Sequence, residues 1–322
     1  MSKLVINLKN WLSLLCLSSF FSLLSCSSGN QVEYTDTTTS GKIKIAVDET
    51  FEQIIDGELD TFHALYKHAN IIPRYTNETA AFQDLLNDSC RLIVVTRMLT
   101  PQEKKVFDSH KITPRITKIA RDAIAFIVNN ENNDTILNMQ HIEDIFIGKV
   151  LNWNQINKTN NSGDIRIVFD NKNSSTARYV KDNILKGKDF TPNVFAVDSN
   201  VEVINYVSTH PNTIGVIGVS WISDGDDPTA LGFLNKVKTL AIVAPDTSAG
   251  FGKSYKPYQA YIATNYYPYT RDVYIVSREA RSGLGTGFAA FVAGDKGQRI
   301  ILKSGIMPAT QPVRIVGFRN NN

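Results

Sequence analysis

The chain has 322 residues, with 34 Lys and Arg against 31 Asp and Glu, a formal net charge of +3 and a hydrophobic fraction of 43%. This length is enough for two packed domains, and the hydrophobic fraction argues against extensive disorder. The nearly balanced charge lacks the basic excess that is typical of nucleic-acid-binding proteins.

The first 25 residues have the pattern of an export signal. Lys3 and Lys9 accompany an apolar stretch from Trp11 to Leu24 that is too short to span a bilayer. The stretch ends at Leu23-Leu24-Ser25-Cys26, which resembles the lipobox of bacterial lipoproteins, so we expect cleavage before Cys26 and lipidation of its thiol. The alternative is an ordinary signal peptide with an incidental cysteine.

Residues 26–40 are polar and rich in Ser and Thr, and they predict a flexible tether between the lipid and the folded body. Once the signal is removed and Cys26 carries lipid, Cys90 is the cysteine that remains. An intramolecular disulfide is therefore excluded, although export implies an oxidising compartment.

From Gly41 onward, apolar runs of strand character alternate with stretches of helical spacing. This alternation predicts an α/β fold with a largely parallel sheet. The predicted strands are Ile43–Val47, Leu92–Val95, Ala123–Val128, Ile165–Val168, Ile214–Ile217, Leu240–Val243 and Val273–Val276.

Two helix starts follow from capping chemistry. In Thr100-Pro101-Gln102-Glu103, Thr100 can cap the helix, proline fits its first position and Glu103 can reach back to the capping amide. Ser199-Asn200-Val201-Glu202 repeats the same capping box.

The sequence contains no recognisable enzyme or metal signature, so we expect no catalytic residue, metal or cofactor. The histidines lack HExxH spacing, and the glycines of Gly283–Gly287 have the wrong interval for a dinucleotide loop. Asp224–Pro228 lacks the ligand spacing of a calcium loop. The tyrosines crowded between Tyr255 and Tyr269 suit either an interface or cleft lining, or a loop packed over the body.

Three loops follow predicted strands and are expected to meet, because ligands of open α/β sheets bind at the carboxyl ends of strands. They are Asp48-Glu49-Thr50-Phe51, Thr96-Arg97 and Ser174-Ser175-Thr176. The third opens a helix, where free amides and hydroxyls suit a tetrahedral oxyanion. The alternative is that Ser174 or Thr176 only caps its own helix.

Several longer motifs resemble the phosphate-binding proteins of ABC phosphate importers, the PstS type. An I-A-V-I-V-N strand followed by an I-F-x-G-x-x-x-x-W helix and turn is matched by residues 121–129 and 141–153. Residues 214–217, 297–301 and 305–309 are also similar to that family, so the resemblance runs from about Ile43 to Ala309.

The resemblance implies a two-lobed type II periplasmic binding protein, each lobe a mostly parallel sheet flanked by helices. Lobe one would comprise residues 41–127 and 257–317, and lobe two residues 128–256, with crossings near Ile127–Asn130 and Ala244–Lys256. Ligand would bind between the lobes and close them.

By position, the family's R-x-x-x-S-G-T phosphate loop falls on Asp170–Thr176. Asp170 stands where the family has arginine and Ser175 where it has glycine, while Ser174 and Thr176 keep the hydroxyl donors. Arg97 matches the S-R or T-R found after the second strand in many members, and it could supply the missing cation. The resemblance thus implies a ligand site of these residues: Glu49, Thr50, Thr96, Arg97, Asp170, Ser174, Ser175 and Thr176.

A carboxylate in such a site repels phosphate unless it is protonated or accepts a ligand proton. Asp48, Glu49 and Asp170 are therefore candidate discriminators between monobasic phosphate, which carries protons, and sulfate, which at neutral pH has none. Equally, they are consistent with a relative that has changed its ligand.

The function implied is a lipid-anchored receptor that captures phosphate or a similar oxyanion and delivers it to the membrane subunits of an ABC importer. We expect a monomer in the bacterial cell envelope that faces the periplasm and binds no nucleic acid. The alternative is a two-lobed sensor or protein-interaction lipoprotein, and a hydrolase using Ser174 or Ser175 is the weakest hypothesis.

Overall fold

A ten-stranded mixed sheet runs through residues 36–313, the part of the chain that the computed structural model describes. Cys26 and the predicted signal lie outside these residues. The strands of the large sheet are β1 (Ser40–Asp48), β2 (His68–Thr76), β3 (Leu92–Val95), β4 (Arg115–Asn129), β6 (Arg166–Phe169), β7 (Val194–Ala196), β8 (Thr213–Gly218), β9 (Val237–Thr239), β12 (Thr270–Ser277) and β13 (Met307–Pro308). A three-stranded sheet contains β5 (Ile136–Leu137), β10 (Ala241–Val243) and β11 (Ser254–Tyr255).

The large sheet has the strand order β2-β1-β3-β12-β4-β8-β6-β7, with β9 and β13 also paired to β4. Strands β1 to β3 are mutually parallel where they pair, and we call them the first wing. Strands β6 to β8 form a second parallel wing. The expected α/β class with helices flanking a mostly parallel sheet is confirmed.

The long strand β4 connects the two wings. Its residues Arg115–Ala123 pair with the antiparallel β12, and Ile124–Val128 pair with the antiparallel β8. The second half of the strand is buried on both faces, which explains why Ala123–Val128 is a continuous apolar run.

Helices cover the sheet and connect its strands. They are α1 (Glu52–Leu65), α2 (Glu78–Leu86), α3 (Pro101–Ser109), α4 (Met139–Phe146), α5 (Ser175–Tyr179), α6 (Asn200–Thr209), α7 (Pro228–Lys236), α8 (Gln259–Ala263), α9 (Leu284–Ala293) and α10 (Asp295–Lys303). Short 3-10 turns span Glu49–Phe51, Trp153–Gln155 and Val219–Trp221, and α5 continues into a π-helical turn at Val180–Ile184. None of the described helices has the length and apolar character needed to cross a membrane.

Aromatic and branched side chains fill the space between sheet and helices. Phe62 of α1 packs edge-on against Phe288 of α9, and Phe126 of β4 packs in the same way against Phe146 of α4. Each of these side chains is fully buried, and burial of one such residue contributes about 1.5–3 kcal/mol. Packing of this kind, rather than a disulfide, holds the described body together, since Cys90 is a buried free thiol.

The predicted capping at Thr100 is present in full. The Thr100 hydroxyl accepts the amide of Glu103, and the Glu103 carboxylate accepts the amide of Thr100. The Ser199 box is only half formed, because Glu202 returns its carboxylate to the amide of Asp198 instead. Both sequence patterns nevertheless mark true helix starts.

Residues Gly283–Gly287 enclose a carboxylate of the chain itself. Glu279, which is buried, accepts hydrogen bonds from the amides of Gly283, Gly285 and Thr286. The free amides at the start of α9 are therefore satisfied internally, and this glycine-rich segment presents no open anion site.

Candidate functional site

The loop after β1 forms the first part of a buried polar cluster. Asp48 ends the strand and its Oδ1 accepts the amide of Thr50 over 3.0 Å, which turns the chain into the Glu49–Phe51 turn. Asp48 and Thr50 are each 1% exposed. Burial, together with the nearby Glu78 carboxylate, raises the pKa of Asp48 to about 6 despite an opposing contribution from Arg271.

The loop after β6 brings three hydroxyls into the cluster. Ser174 caps α5 by accepting the amide of Ala177 over 3.1 Å, and its Oγ lies 2.7 Å from Thr176 Oγ1. Thr176 in turn donates to Oδ1 of Asp170. Burial raises the pKa of Asp170, although these hydroxyl bonds act against the shift.

Arg271 of β12 supplies a buried guanidinium. Its Nε and Nη2 lie 3.0 and 2.9 Å from Oδ2 of Asp122 on the neighbouring strand β4. Its Nη1 donates to Ser175 Oγ over 2.8 Å. Burial raises the pKa of Asp122 even though Arg271 favours its ionised form. The guanidinium of Arg271 thus lies directly at the start of α5.

A second guanidinium comes from Arg178 of α5. Its Nε donates to Glu78 Oε2 over 2.6 Å, and its Nη2 donates to Thr96 Oγ1 over 2.8 Å. The amide and hydroxyl of Thr96 both donate to Glu78 Oε1, over 2.7 and 2.8 Å. Burial opposes ionisation of Glu78, but Arg178 and Thr96 outweigh it and hold the pKa of Glu78 below its usual value.

Asn200 at the start of α6 links the two wings. Its backbone amide donates to Glu49 over 3.2 Å, and its side-chain Nδ2 donates to Glu49 and, over 3.3 Å, to Asp170. Burial, and then the charge of Asp170, raise the pKa of Glu49 to about 8. Glu49 of the first wing and Asp170 of the second therefore share one amide donor.

Several buried oxygen atoms of the cluster have no hydrogen-bond partner among the described residues. They are Asp48 Oδ2, Thr50 Oγ1, Asp122 Oδ1 and Asn200 Oδ1. A buried acceptor left without a donor costs roughly 1–3 kcal/mol, so a ligand that donates hydrogen bonds would relieve these groups. The carboxyl groups of the cluster also outnumber its guanidinium groups.

The structure brings most of the predicted site residues together, with one exception. The cluster includes Glu49, Thr50, Thr96, Asp170, Ser174, Ser175 and Thr176.

Arg97 lies outside the cluster. Its guanidinium donates to both carboxylate oxygens of Glu103 over 2.8 Å and lies 3.5 Å from the centre of the Phe82 ring. The reason is local, because Glu103 is already held at the start of α3 by its capping box. The cations of the cluster are Arg178 and Arg271 instead.

Sequence reasoning missed Glu78, Asp122, Arg178, Asn200 and Arg271 as members of the cluster. A signal was available for Asp122, a charged residue that directly precedes the apolar run Ala123–Val128. Charged side chains are almost never fully buried unless they are paired.

In residues 36–313 no group of three or more His, Cys, Asp or Glu side chains is placed to hold a metal ion.

Comparison with known proteins identifies relatives over most of the chain. The phosphate-binding protein PstS of Pseudomonas aeruginosa is 23% identical over 284 residues, which cover 84% of this chain and 83% of that protein. PstS of Borreliella burgdorferi is 23% identical over 275 residues, covering 82% of this chain and 89% of that protein.

Solved structures share the fold. A protein of Clostridium perfringens with bound phosphate superposes with a TM-score of 0.70 at 19% identity, covering 84% of this chain and all of that one. An ABC-type phosphate transport receptor from Vibrio cholerae gives a TM-score of 0.62 at 19% identity. These likenesses confirm the expected fold class of two-lobed periplasmic binding proteins.

The family model described as the PBP superfamily domain matches residues 32–296. This match spans well over half of the chain and includes every residue of the polar cluster. The protein therefore belongs to the PBP superfamily, and its relatives include proteins of the PstS type.

Proposed function

We propose that this protein is a solute receptor that captures inorganic phosphate between the two wings of its sheet and hands it to an ABC importer. The observation that carries the proposal is the buried contact of Arg271 with Ser175, in a cluster of hydroxyls drawn from both wings. Relatives that carry the name phosphate-binding protein support the choice of ligand.

Donors for the oxyanion come from both sides of the cluster. Ser174, Ser175 and Thr176 offer hydroxyls at the start of α5, and Thr50 and Thr96 offer hydroxyls from the first wing. The guanidinium groups of Arg178 and Arg271 supply the charge. Hydrogen bonds in which one partner is ionised are about twice as strong as neutral ones.

Acceptors in the cluster favour a protonated anion. Asp170 accepts from Asn200, and Asp48 Oδ2 has no partner among the described residues. Monobasic phosphate can donate its protons to such oxygens, whereas sulfate at neutral pH cannot. Specificity then follows from the cost of burying an acceptor without a donor.

The proposal involves capture and release without covalent chemistry. Ser174 Oγ is hydrogen-bonded to the Ala177 amide and to the Thr176 hydroxyl, and Ser175 Oγ accepts a hydrogen bond from Arg271. None of these contacts includes a histidine base of the kind that activates a serine nucleophile.

The receptor would act at the cell envelope. We infer that residues 1–25 direct export, that Cys26 carries the lipid, and that the chain faces the periplasm as a monomer with residues 26–40 as its tether. Lobe one would consist of residues 41–127 and 257–317, and lobe two of residues 128–256. Labelling with a radioactive lipid precursor, with Cys26→Ala as the control, tests the anchor.

Titration calorimetry with phosphate and then sulfate tests the ligand. The protein would be produced without residues 1–26, and its thermal midpoint followed in parallel. A ligand at a hundredfold over its dissociation constant stabilises the folded state by about 2.7 kcal/mol. We expect phosphate to give heat and a raised midpoint, and sulfate to give neither; no response to millimolar phosphate would refute the assignment.

The excess of carboxyl groups in the cluster supports a second candidate, a two-lobed sensor or protein-interaction lipoprotein that has changed its ligand. Under this alternative the unpartnered oxygens would accept from a ligand rich in donors and without a strong negative charge. The same titration separates the two functions, because the alternative predicts no phosphate binding by a folded protein.

A further inference from the structure

The carboxylate of Glu78 occupies donors that an oxyanion would need. It is 2% exposed, and it accepts hydrogen bonds from the Thr96 amide, the Thr96 hydroxyl and the Arg178 guanidinium over 2.6 to 2.8 Å. A backbone amide, a hydroxyl and a guanidinium converging on two oxygens form the same donor set that binds a phosphate group.

We propose that Glu78 is a built-in competitor, whose carboxylate holds the donors of Thr96 and Arg178 until an incoming oxyanion displaces it. The inference rests on the proposed function, since it concerns the same site. In this role Glu78 lowers the affinity of the site for anions, so that only an anion that binds tightly enough to displace it is captured.

The Glu78 carboxylate is not part of the cap of its own helix. The start of α2 is capped by Asn77, whose Oδ1 accepts the amide of Ala80 over 3.0 Å, so the Glu78 carboxylate is not needed as a cap. Arg178 also has a second acidic partner, Asp182, at 3.4 Å. Displacement of Glu78 therefore does not leave the guanidinium alone.

The charge of Glu78 acts directly on the rest of the site. Burial raises the pKa of Asp48 and the charge of Glu78 adds to this shift, so the Glu78 carboxylate lies within electrostatic reach of the loop after β1. The adjacent residue Thr79 donates to the Asn173 carbonyl over 3.3 Å, next to the hydroxyls of α5. Glu78 thus lies between the loop after β1 and the loop after β6, which would both contact the ligand.

Its contacts also join the two wings. Glu78 and Thr96 follow β2 and β3 of the first wing, and Arg178 follows β6 of the second. An internal anion can hold the wings together in this way, and an oxyanion that replaces it would restore the same bridge.

The test compares Glu78→Gln with the unmodified protein by calorimetric titration of inorganic phosphate. The amide keeps the size of the side chain but removes its charge, so we expect phosphate to bind at least tenfold more tightly. Glu103→Gln is the matched control, because Glu103 is also paired with an arginine and also accepts backbone and arginine donors. Its affinity should stay within about twofold of the unmodified protein.

The outcomes separate this inference from the proposed function. If the unmodified protein binds phosphate and Glu78→Gln binds it equally or more weakly, Glu78 is a structural bridge and the competitor role is refuted. If neither protein binds phosphate, both proposals fail. Should Glu78→Gln not fold, Glu78→Asp decides, since it withdraws the carboxylate by one methylene and should bind phosphate more tightly than the unmodified protein does.

Discussion

Arg271 Nη1 lies 2.8 Å from Ser175 Oγ, and this hydrogen bond joins strand β12 to the first residue of α5. The two residues are 96 positions apart in the chain and both are buried. Asp122 fixes the other edge of the guanidinium, so Nη1 has a defined direction. The contact places one guanidinium at the hydroxyl-rich turn Ser174–Thr176, which was predicted from the sequence to bind an oxyanion.

Replacement of Ser175 by alanine should weaken phosphate binding at least tenfold. The hydroxyl positions the Arg271 guanidinium and is itself a proposed ligand donor, and a hydrogen bond to a charged group contributes about 1.5–3 kcal/mol. Since about 1.4 kcal/mol corresponds to a factor of ten, the loss is measurable by calorimetry. The fold should survive, because Arg271 retains Asp122.

Arg97→Ala is the companion measurement. Arg97 is bonded to Glu103 and stacked on Phe82, outside the cluster, so its removal should leave phosphate affinity within about twofold. Affinity unchanged in Ser175→Ala but lowered in Arg97→Ala would show that the cation at the site has been assigned to the wrong residue.

Gly218→Ala should prevent the two wings from meeting at the cluster. A Cβ at this position would lie 2.2 Å from Thr50 Cγ2, which is closer than two atoms can pack, and 3.2 Å from Arg271 Nη2, which is a tight contact. Thr50 belongs to the first wing and Gly218 ends β8 of the second, so the added methyl group separates them. We expect at least tenfold weaker phosphate binding and a larger radius of gyration by small-angle scattering.

Gly225→Ala is the control for that substitution, since a Cβ there meets nothing within 4 Å. Its binding and scattering should match those of the unmodified protein. Unaltered binding by Gly218→Ala would mean that the ligand does not require the wings to meet at Thr50.

Much of the fold was predictable because its signals are local. Leu92–Val95 is a fully buried run of apolar residues and was predicted with the bounds that the structure shows. Strand β2 was missed, because it is an edge strand that contains Pro73 and buries few side chains, so it lacks an apolar run. An apolar pattern in the sequence reveals elements that are buried. An exposed edge strand buries few side chains and therefore shows little of this pattern.

The polar cluster was predictable from the sequence only at positions that follow a strand. Ser175 and Thr176 were found because a hydroxyl-rich turn between strand and helix has recognisable chemistry. Arg178 and Arg271 were not, because their roles depend on Glu78 and Asp122, whose positions are fixed by pairing between distant segments. Arg97 shows the converse, in which a motif residue is held by a neighbour that the motif does not include.

Phosphate affinity should fall as the pH rises through about 8, because Glu49 loses its proton there. Burial and the neighbouring Asp170 raise the pKa of Glu49 to about 8, so the side chain is neutral below that pH and repels an anion above it. Glu49→Gln keeps the side chain neutral throughout and should flatten the dependence. Calorimetry between pH 6 and about 9.5 measures both curves with the same ligand, so the titration of phosphate itself cancels in the comparison. Parallel curves for the two proteins would exclude Glu49 from the site.

Glu58 gives a pH dependence of stability that is independent of the ligand site. It is 0% exposed, both carboxylate oxygens lack partners among the described residues, and burial raises its pKa from 4.5 to about 8. Between those values the folded state holds a proton that the unfolded state has released, so stability falls as pH rises and levels off above about 8. Glu58→Gln removes this proton linkage, and its thermal midpoint should decline less between pH 5 and about 8.5 than that of the unmodified protein.

The control is Asp60→Asn, which changes an exposed carboxyl on the same helix and should leave the slope of thermal midpoint against pH as it is. A slope in Glu58→Gln as steep as that of the unmodified protein would mean that Glu58 is already ionised when the chain is folded, and that a partner for it exists within the core.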